Sequence, residues 1–292
     1  LMSSIMTPSN KIAKRVLITG CSSGIGLATT VLLAQKGFDV IASMRNLNKA
    51  DKLSAALKEV GRNVTLVELD VTRPETIREA LKKIQESHGG VDVLVNNAGI
   101  TIDGFFEDFS EEDVKKIFDT NVFGVMNMCR EVLPFMRAQK SGLILNITSI
   151  AGQWALPQIT VYSSTKFAIE GFSEGLRYEV APFGIEVAML EPCFVDTEMV
   201  TENRNVSAKS GNPESAYTRF NESCEHFYDE YGKKYSVSPQ DVAVAIHKLI
   251  ETRHAPERTM LGKKERRLQL YKKFLPEAWY KRLLHKTFPK LS

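Results

Sequence analysis

Thr19-Gly20-Cys21-Ser22-Ser23-Gly24-Ile25-Gly26 joins a short apolar run, Arg15 to Thr19, to a helical stretch, Ile25 to Gln35. A glycine turn between a first strand and a first helix lets the backbone come close to a pyrophosphate. The free N–H groups at the helix start favour its negative charge. The spacing is G-x-x-x-G-x-G, so Gly20, Gly24 and Gly26, with Thr19, Ser22, Ser23 and Ile25 around them, form a candidate phosphate cradle.

Working outward, β-rich runs alternate with helical ones: Phe38 to Met44 then Lys49 to Val60, and Val64 to Leu69 then Pro74 to Glu86. That rhythm predicts parallel β-α-β units, hence a doubly wound, mostly parallel α/β sheet. Two further strands end in polar groups, Val91 to Val95 before Asn96-Asn97-Ala98-Gly99 and Leu143 to Ile147 before Thr148-Ser149. Open α/β sheets bind ligands at those carboxyl ends, which adds Asn97 and Gly99 to the candidate nucleotide site. A long helix is expected from Glu111, capped by Ser110, to Gln139, another from Val161 to Val180, then a strand from Glu186 to Leu190. Ser238-Pro239 should open a helix that turns Val242, Ile246, Leu249 and Ile250 inward.

The division expected is an extension over 1–13, a catalytic domain over 14–262 and a basic helical tail over 263–292. Within the domain, 198–237 is too long for an ordinary connection and reads as a flap over a site. The 292 residues, 43% of them hydrophobic, suit one large core. Charge is uneven: from Lys263 onward ten basic residues face only Glu265 and Glu277, which leaves 28 basic and 33 acidic residues in the body. This excludes a nucleic-acid-binding body and gives the tail its own surface task. In the tail Leu268, Tyr271, Leu275, Trp279, Leu283 and Leu284 recur at helical spacing. Either they form an amphipathic segment lying peripherally on a membrane, or a helix pair that covers the cleft or packs on the body; the second reading is favoured.

Cys21, Cys129, Cys193 and Cys224 are widely spaced and read as free thiols of a reducing, cytoplasmic setting. The five histidines lack metal-ligand spacing, so no metal is expected. Neither a secretion signal nor a membrane-spanning segment is expected. Cofactor choice rests on the end of the second strand, Ala42-Ser43-Met44-Arg45-Asn46, where no acid stands to meet a ribose 2′-hydroxyl. Arg45 offers a permanently charged fork suited to a 2′-phosphate, so NADP(H) is expected over NAD(H). Asp70, closing the third strand, is placed to accept from the adenine amino group.

Tyr162 and Lys166 stand four apart on an expected helix and so share a face. An ammonium and an oxidised nicotinamide beside Tyr162 should lower its pKa and make it a general acid near neutrality. Ser149, at a strand end, is placed to hydrogen-bond the same carbonyl oxygen. Asn121, inside the long helix, competes for backbone bonds and is read as part of a buried polar network.

With the T-G-x-x-x-G-x-G turn, N-N-A-G, N-x-x-G, Ser149 and Y-x-x-x-K in order, the chain from Lys14 to Met199 resembles a short-chain dehydrogenase/reductase. The residues around Tyr162 are similar to those of members acting on hydroxysteroids, retinoids and other lipophilic carbonyls. The resemblance implies hydride transfer between nicotinamide and a secondary alcohol or carbonyl, with Tyr162 as proton donor or acceptor and Ser149 polarising the oxygen. Lys166 would hold the nicotinamide ribose, and Asn121 a water of a proton relay. Asn97 and Val71 would line the cofactor, with Pro192, Val195 and Thr197 at its nicotinamide end. It also implies a homodimer or homotetramer built through the Asn121 and Tyr162 helices. One departure is Cys193, where the family commonly has glycine after proline; its side chain is expected to narrow the pocket or alter the loop. A lyase or epimerase with retained nucleotide, and a dinucleotide sensor without turnover, are the alternatives.

Overall fold

A computed structural model describes residues 13–197, 205–210, 212–280 and 282. Nearly all of the extension over 1–13, the start of the expected flap and the end of the tail, with Leu283 and Leu284, lie outside the described residues.

Seven parallel strands form one sheet in the order β3-β2-β1-β4-β5-β6-β7. In chain order they are β1 (Arg15–Ile18), β2 (Asp39–Met44), β3 (Thr65–Glu68), β4 (Val93–Asn96), β5 (Gly142–Ile147), β6 (Ile185–Pro192) and β7 (Arg258–Leu261). Alternation along each strand feeds both faces of the sheet. Leu17, Leu94, Ile144 and Val187 enter one core, with Ile77 and Ile84 of α3 (Pro74–His88), Met128 and Met136 of α5 (Gly124–Gln139) and Leu176 of α6 (Thr160–Val180). Val16, Val95, Leu145 and Leu190 enter the other, with Leu33 of α1 (Gly24–Gln35), Leu53 of α2 (Asp51–Glu59) and Ile246 of α8 (Pro239–Glu251). Both faces are therefore dry, which is why these strands read as unbroken apolar runs. Each fully buried leucine contributes about 2 kcal/mol of burial.

Caps fix where helices begin. Ser110 and Asp113 form a capping box at α4 (Glu111–Phe118), and Ser238 and Asp241 form another at α8, with Pro239 in its first turn.

The structure corrects the expectations in four places. The helix expected from Glu111 to Gln139 is interrupted by a π-turn, Asp119–Phe123, between α4 and α5. The expected flap contains an 18-residue helix, α7 (Thr218–Tyr235). Its signal was present in Phe220, Cys224, Phe227, Tyr231 and Tyr235, which recur at helical spacing through a polar stretch. Strand β7 was missed because four residues, Arg-Thr-Met-Leu, carry no usable period. The tail helix, α9 (Lys263–Phe274), starts before Leu268 and turns Tyr271 outward, so the expected single apolar face is split.

Candidate active site

The order of strands reverses between β1 and β4, and their carboxyl ends part to leave a crevice. The glycine turn fills its floor. Gly20 (φ +73°) and Gly24 (φ +55°) hold the left-handed conformation that glycine adopts without strain. A methyl on Gly26 would lie 2.2 Å from Gly20 O, so only glycine allows α1 to sit this close to the turn. Thr19 Oγ1 accepts from Asn97 N and Ala98 N at 3.0 Å, while Asn97 Nδ2 donates to Thr19 O at 2.8 Å and Gly20 O at 3.1 Å. Asn97 thus staples β4 to the turn. The start of α1, after Ser22 and Ser23, carries no side-chain cap and no acid in its first turn, Ile25 included. Thr197 packs over Gly24, its Cγ2 3.3 Å from where a methyl would stand. A cradle of positive-φ glycines beneath uncapped N–H groups fits a dinucleotide pyrophosphate.

The other residues expected to meet the cofactor lie at or just after the carboxyl ends of neighbouring strands. Arg45 is exposed at the end of β2. Asp70 Oδ1 accepts from Thr72 N at 2.9 Å and Thr72 Oγ1 at 2.8 Å, which shapes the turn after β3. Val71 is buried against Gly124, and Gly99 lies against Asn121 Oδ1. Pro192 ends β6, and Val195 pairs with Val237. Cys193 does not narrow the crevice: its side chain is buried with Ile150, Trp154, Met260, Leu268 and Tyr280, under the tail.

At the carboxyl ends of β4 and β5 the four proton-handling candidates come together. Ser149 caps the short turn Ile150–Gly152 and lies near enough to the Tyr162 phenol to lower its pKa. Lys166 Nζ stands 5.4 Å from the Tyr162 ring centroid and donates to Ile147 O at 3.0 Å. Asn121, in the π-turn, is buried; its Nδ2 donates to Ile100 O at 2.8 Å and Thr165 Oγ1 at 3.3 Å, and its Oδ1 accepts from Ile100 N at 2.9 Å. It ties the loop after β4 to α6, and π-turns of this kind concentrate at functional sites.

Electrostatics departs from expectation at Tyr162. Burial pushes its phenol up to about 12, against the Ser149 hydrogen bond, which lowers it. The lowering expected from Lys166 is absent, because burial also pulls Lys166 down to about 8, with Glu170 opposing. One helical turn below Lys166, Glu170 faces Glu191 of β6, and both are buried. Burial and the Glu170 charge push Glu191 up to about 7. Gln153 Nε2 donates to Glu191 Oε1 at 3.1 Å and Arg258 Nε to Glu170 Oε2 at 3.0 Å, while Glu170 Oε1 and Glu191 Oε2 have no donor. A proton held on Glu191, which its raised pKa favours, would give one of these two orphaned acceptors a donor.

Sequence reasoning missed the residues that pack between the Tyr162 helix and α7. Gln158 adopts φ 62°, is buried, and donates through Nε2 to Asn221 Oδ1 of α7 at 3.0 Å. Its Oε1 has no donor, so an unsatisfied buried acceptor sits on a strained backbone four residues before Tyr162. Aromatic rings hold α7 in place: Phe105 stacks on Tyr217 at 4.8 Å, and Phe194 meets Tyr231 at 5.2 Å and Tyr228 at 5.8 Å. The tail closes the far side through Glu265, which accepts from Tyr231 Oη, and Tyr280, which accepts from Trp154 Nε1. Cys21 is buried with its thiol pushed up to about 12 by desolvation, which removes it as a nucleophile. Among the described residues, no three His, Cys, Asp or Glu side chains gather to hold a metal ion, and no helix is long and apolar enough to cross a membrane.

A glycine cradle at a sheet switch point, with tyrosine, serine and lysine converging beside it, defines a dinucleotide-dependent oxidoreductase of the doubly wound α/β class. Residues 14–207 match the short chain dehydrogenase family. The chain belongs to that family, whose members bind a nicotinamide cofactor. It is 37% identical over 247 residues to 3-ketodihydrosphingosine reductase of Bacteroides thetaiotaomicron, covering 85% of this chain and 87% of that one. It is 38% identical over 260 residues to retinol dehydrogenase 8 of Homo sapiens, covering 84% and 80%. Among solved structures it is similar to an alcohol dehydrogenase from the archaeon Thermococcus sibiricus complexed with 5-hydroxy-NADP, at 27% identity and TM-score 0.70, covering 86% and 96%.

Proposed function

We propose that this oxidoreductase uses NADP(H) to interconvert a secondary alcohol and its carbonyl on a lipophilic substrate. The observation that carries the reading is the placement of Lys166 Nζ 5.4 Å from the Tyr162 ring and 3.0 Å from Ile147 O, at the end of the strand that delivers Ser149. The nicotinamide, when bound, supplies or accepts the hydride. Tyr162 gives its proton to the substrate oxygen, and a phenol held protonated at neutral pH serves reduction. Ser149 donates to the same oxygen and stabilises charge developing there. Lys166 orients the site from Ile147 O and is placed to hold the ribose. Asn121 positions the loop at Ile100, and a water relay through it is a further role for the same residue.

Arg45, with no acid beside it at the end of β2, supports NADP(H) over NAD(H). The rings around α7, and the lipids in the names of the sphingoid and retinol relatives, support a lipophilic substrate. Exposed Phe123, Phe167, Tyr178 and Phe183 cluster on the π-turn, α6 and the turn after it, which supports a homo-oligomer formed through that face. The test is turnover of NADPH and of NADH against a panel of long-chain and cyclic ketones. NADPH should be preferred, with Arg45→Ala reducing the preference by roughly tenfold or more. Equal use of both nucleotides by the parent refutes the cofactor assignment, and tight binding without turnover of any ketone or alcohol refutes the reaction.

A further inference from the structure

The tail helix α9 has two faces with different work. Glu265, Leu268 and Lys272, at helical spacing, face the body: Glu265 meets Tyr231, Leu268 is buried with Ile150 and Trp154, and Lys272 Nζ donates to Gln153 O at 3.3 Å. Arg267, Leu270, Tyr271 and Phe274, at the same spacing on the opposite face, look outward. Leu270 is 56% exposed and Phe274 75%, and Trp279, in the helical residues that follow Pro276, is 66% exposed. A helix this well anchored on one side has no folding reason to present two aromatic rings and a leucine on the other.

Charge identifies what covers this face. From Lys263 onward the chain carries ten basic residues and two acids, and Glu265, one of the two, is buried against Tyr231. Arg266 and Arg267 are exposed beside the apolar stripe. The tail of a second copy, packed face to face on this one, would bring like charges together. An anionic lipid surface meets both features, accepting the rings and leucine at the headgroup boundary and attracting the cations. The body, with 33 acids against 28 bases, is repelled by the same surface and so is held away from it, tail first.

We propose that the outward face of α9, with Trp279, is a docking surface for anionic membrane. Its consequence for the enzyme, which rests on the function proposed above, is that a lipophilic substrate reaches the site from the bilayer. Lys272 of α9 and Tyr280 just beyond it fix the tail to the Gln153–Trp154 segment just after Ser149, so a docked tail brings the catalytic turn close to lipid.

The test is co-sedimentation of the full chain with vesicles, either phosphatidylcholine alone or mixed with phosphatidylglycerol, in the absence of nucleotide and substrate. Binding should require phosphatidylglycerol, weaken as salt rises, and fall roughly tenfold or more in Leu270→Glu/Phe274→Glu and in Arg267→Glu. Both variants change exposed positions, so their thermal midpoints and turnover of a water-soluble ketone should match the parent. Failure of the parent to bind phosphatidylglycerol vesicles overturns the proposal, as does equal binding by the variants. A variant that dissociates an oligomer while vesicle binding is unchanged overturns it in favour of a second copy. Vesicle binding without any ketone turnover upholds the docking surface and fails only the enzymatic reading.

Discussion

The glycine cradle and the proposed cover of α7 and α9 are built from different kinds of contact. In the cradle nearly every tie runs through the backbone, from Thr19 Oγ1 to two main-chain N–H groups and from Asn97 to two main-chain carbonyls, over glycines that no other residue replaces. In the cover, α7 and α9 are held by ring against ring and by long side chains, with Phe105 on Tyr217, Tyr231 on Glu265 and Lys264 over the Tyr231 and Tyr235 rings. Backbone geometry admits one residue type at each position, whereas ring packing is met by many. The first half therefore tolerates little change in residue type, whereas the second can be rebuilt to suit the substrate proposed for it.

If the cradle and its adjoining hydroxyls carry the chemistry, the largest effect belongs there. Tyr162→Phe should lower kcat by about a thousandfold or more while nucleotide affinity and thermal midpoint stay near the parent's. A variant retaining more than a tenth of parental kcat would move proton transfer elsewhere. Gly26→Ala comes next: a methyl 2.2 Å from a carbonyl oxygen cannot be relieved by a rotamer, so the turn must shift. It should cost about 3 kcal/mol of stability and most nucleotide binding, read by denaturant melts and by fluorescence titration with NADPH.

How far the sequence could be read follows the same division. The glycine turn, Ser149, Tyr162 and Lys166 were legible because each residue type has a narrow physical reason to stand where it does. The strands were legible because both faces of the sheet are dry and their apolar runs unbroken. Gln158 was not legible, since a glutamine between Leu156-Pro157 and a helix gives no hint of a positive φ. Nor was the direction of the Tyr162 shift, because the burial that raises the phenol and pulls Lys166 down depends on the depth of both side chains, which the sequence does not state. For α7 the aromatic period was present, but it was masked by a polar composition that reads as a connection.

The Glu170–Glu191 pair lies where the two halves join, between α6 and the strand leading to Cys193, and it tests whether that joint responds to pH. Glu191 titrates near 7 in the folded protein against an ordinary value of 4.5. A raised carboxyl pKa means that the folded state holds its proton longer. The resulting stability is fully present below 4.5, declines as pH rises and is gone above about 7. Glu191→Gln keeps the hydrogen bond without titrating, so its stability advantage over the parent should grow across that window to about 2 to 3 kcal/mol and then level off. An advantage independent of pH would show that the pair does not share a proton. On the cover, Tyr231→Phe leaves buried Glu265 without its donor and should cost about 1 to 2 kcal/mol. It should raise KM for a large ketone several-fold with kcat nearly unchanged, and an equal fall in kcat would place the tail inside the catalytic step.

The smallest effect is the sharpest comparison, because the same substitution should have opposite signs in the two halves. Gly232 lies inside α7 with nothing within 4 Å of an added methyl, and its φ is not in the left-handed region. A glycine there costs helix stability through the freedom it has when unfolded, so Gly232→Ala should stabilise α7 by about 0.5 to 1 kcal/mol where Gly26→Ala destabilises. Hydrogen exchange should report slower opening of α7 with no change in β1 or α1. If the cover moves aside to admit substrate, the same variant slows that opening, and kcat for a large ketone should fall slightly while that for a small one stays level. Unchanged turnover of both, with α7 demonstrably stiffened, would make the cover a fixed wall.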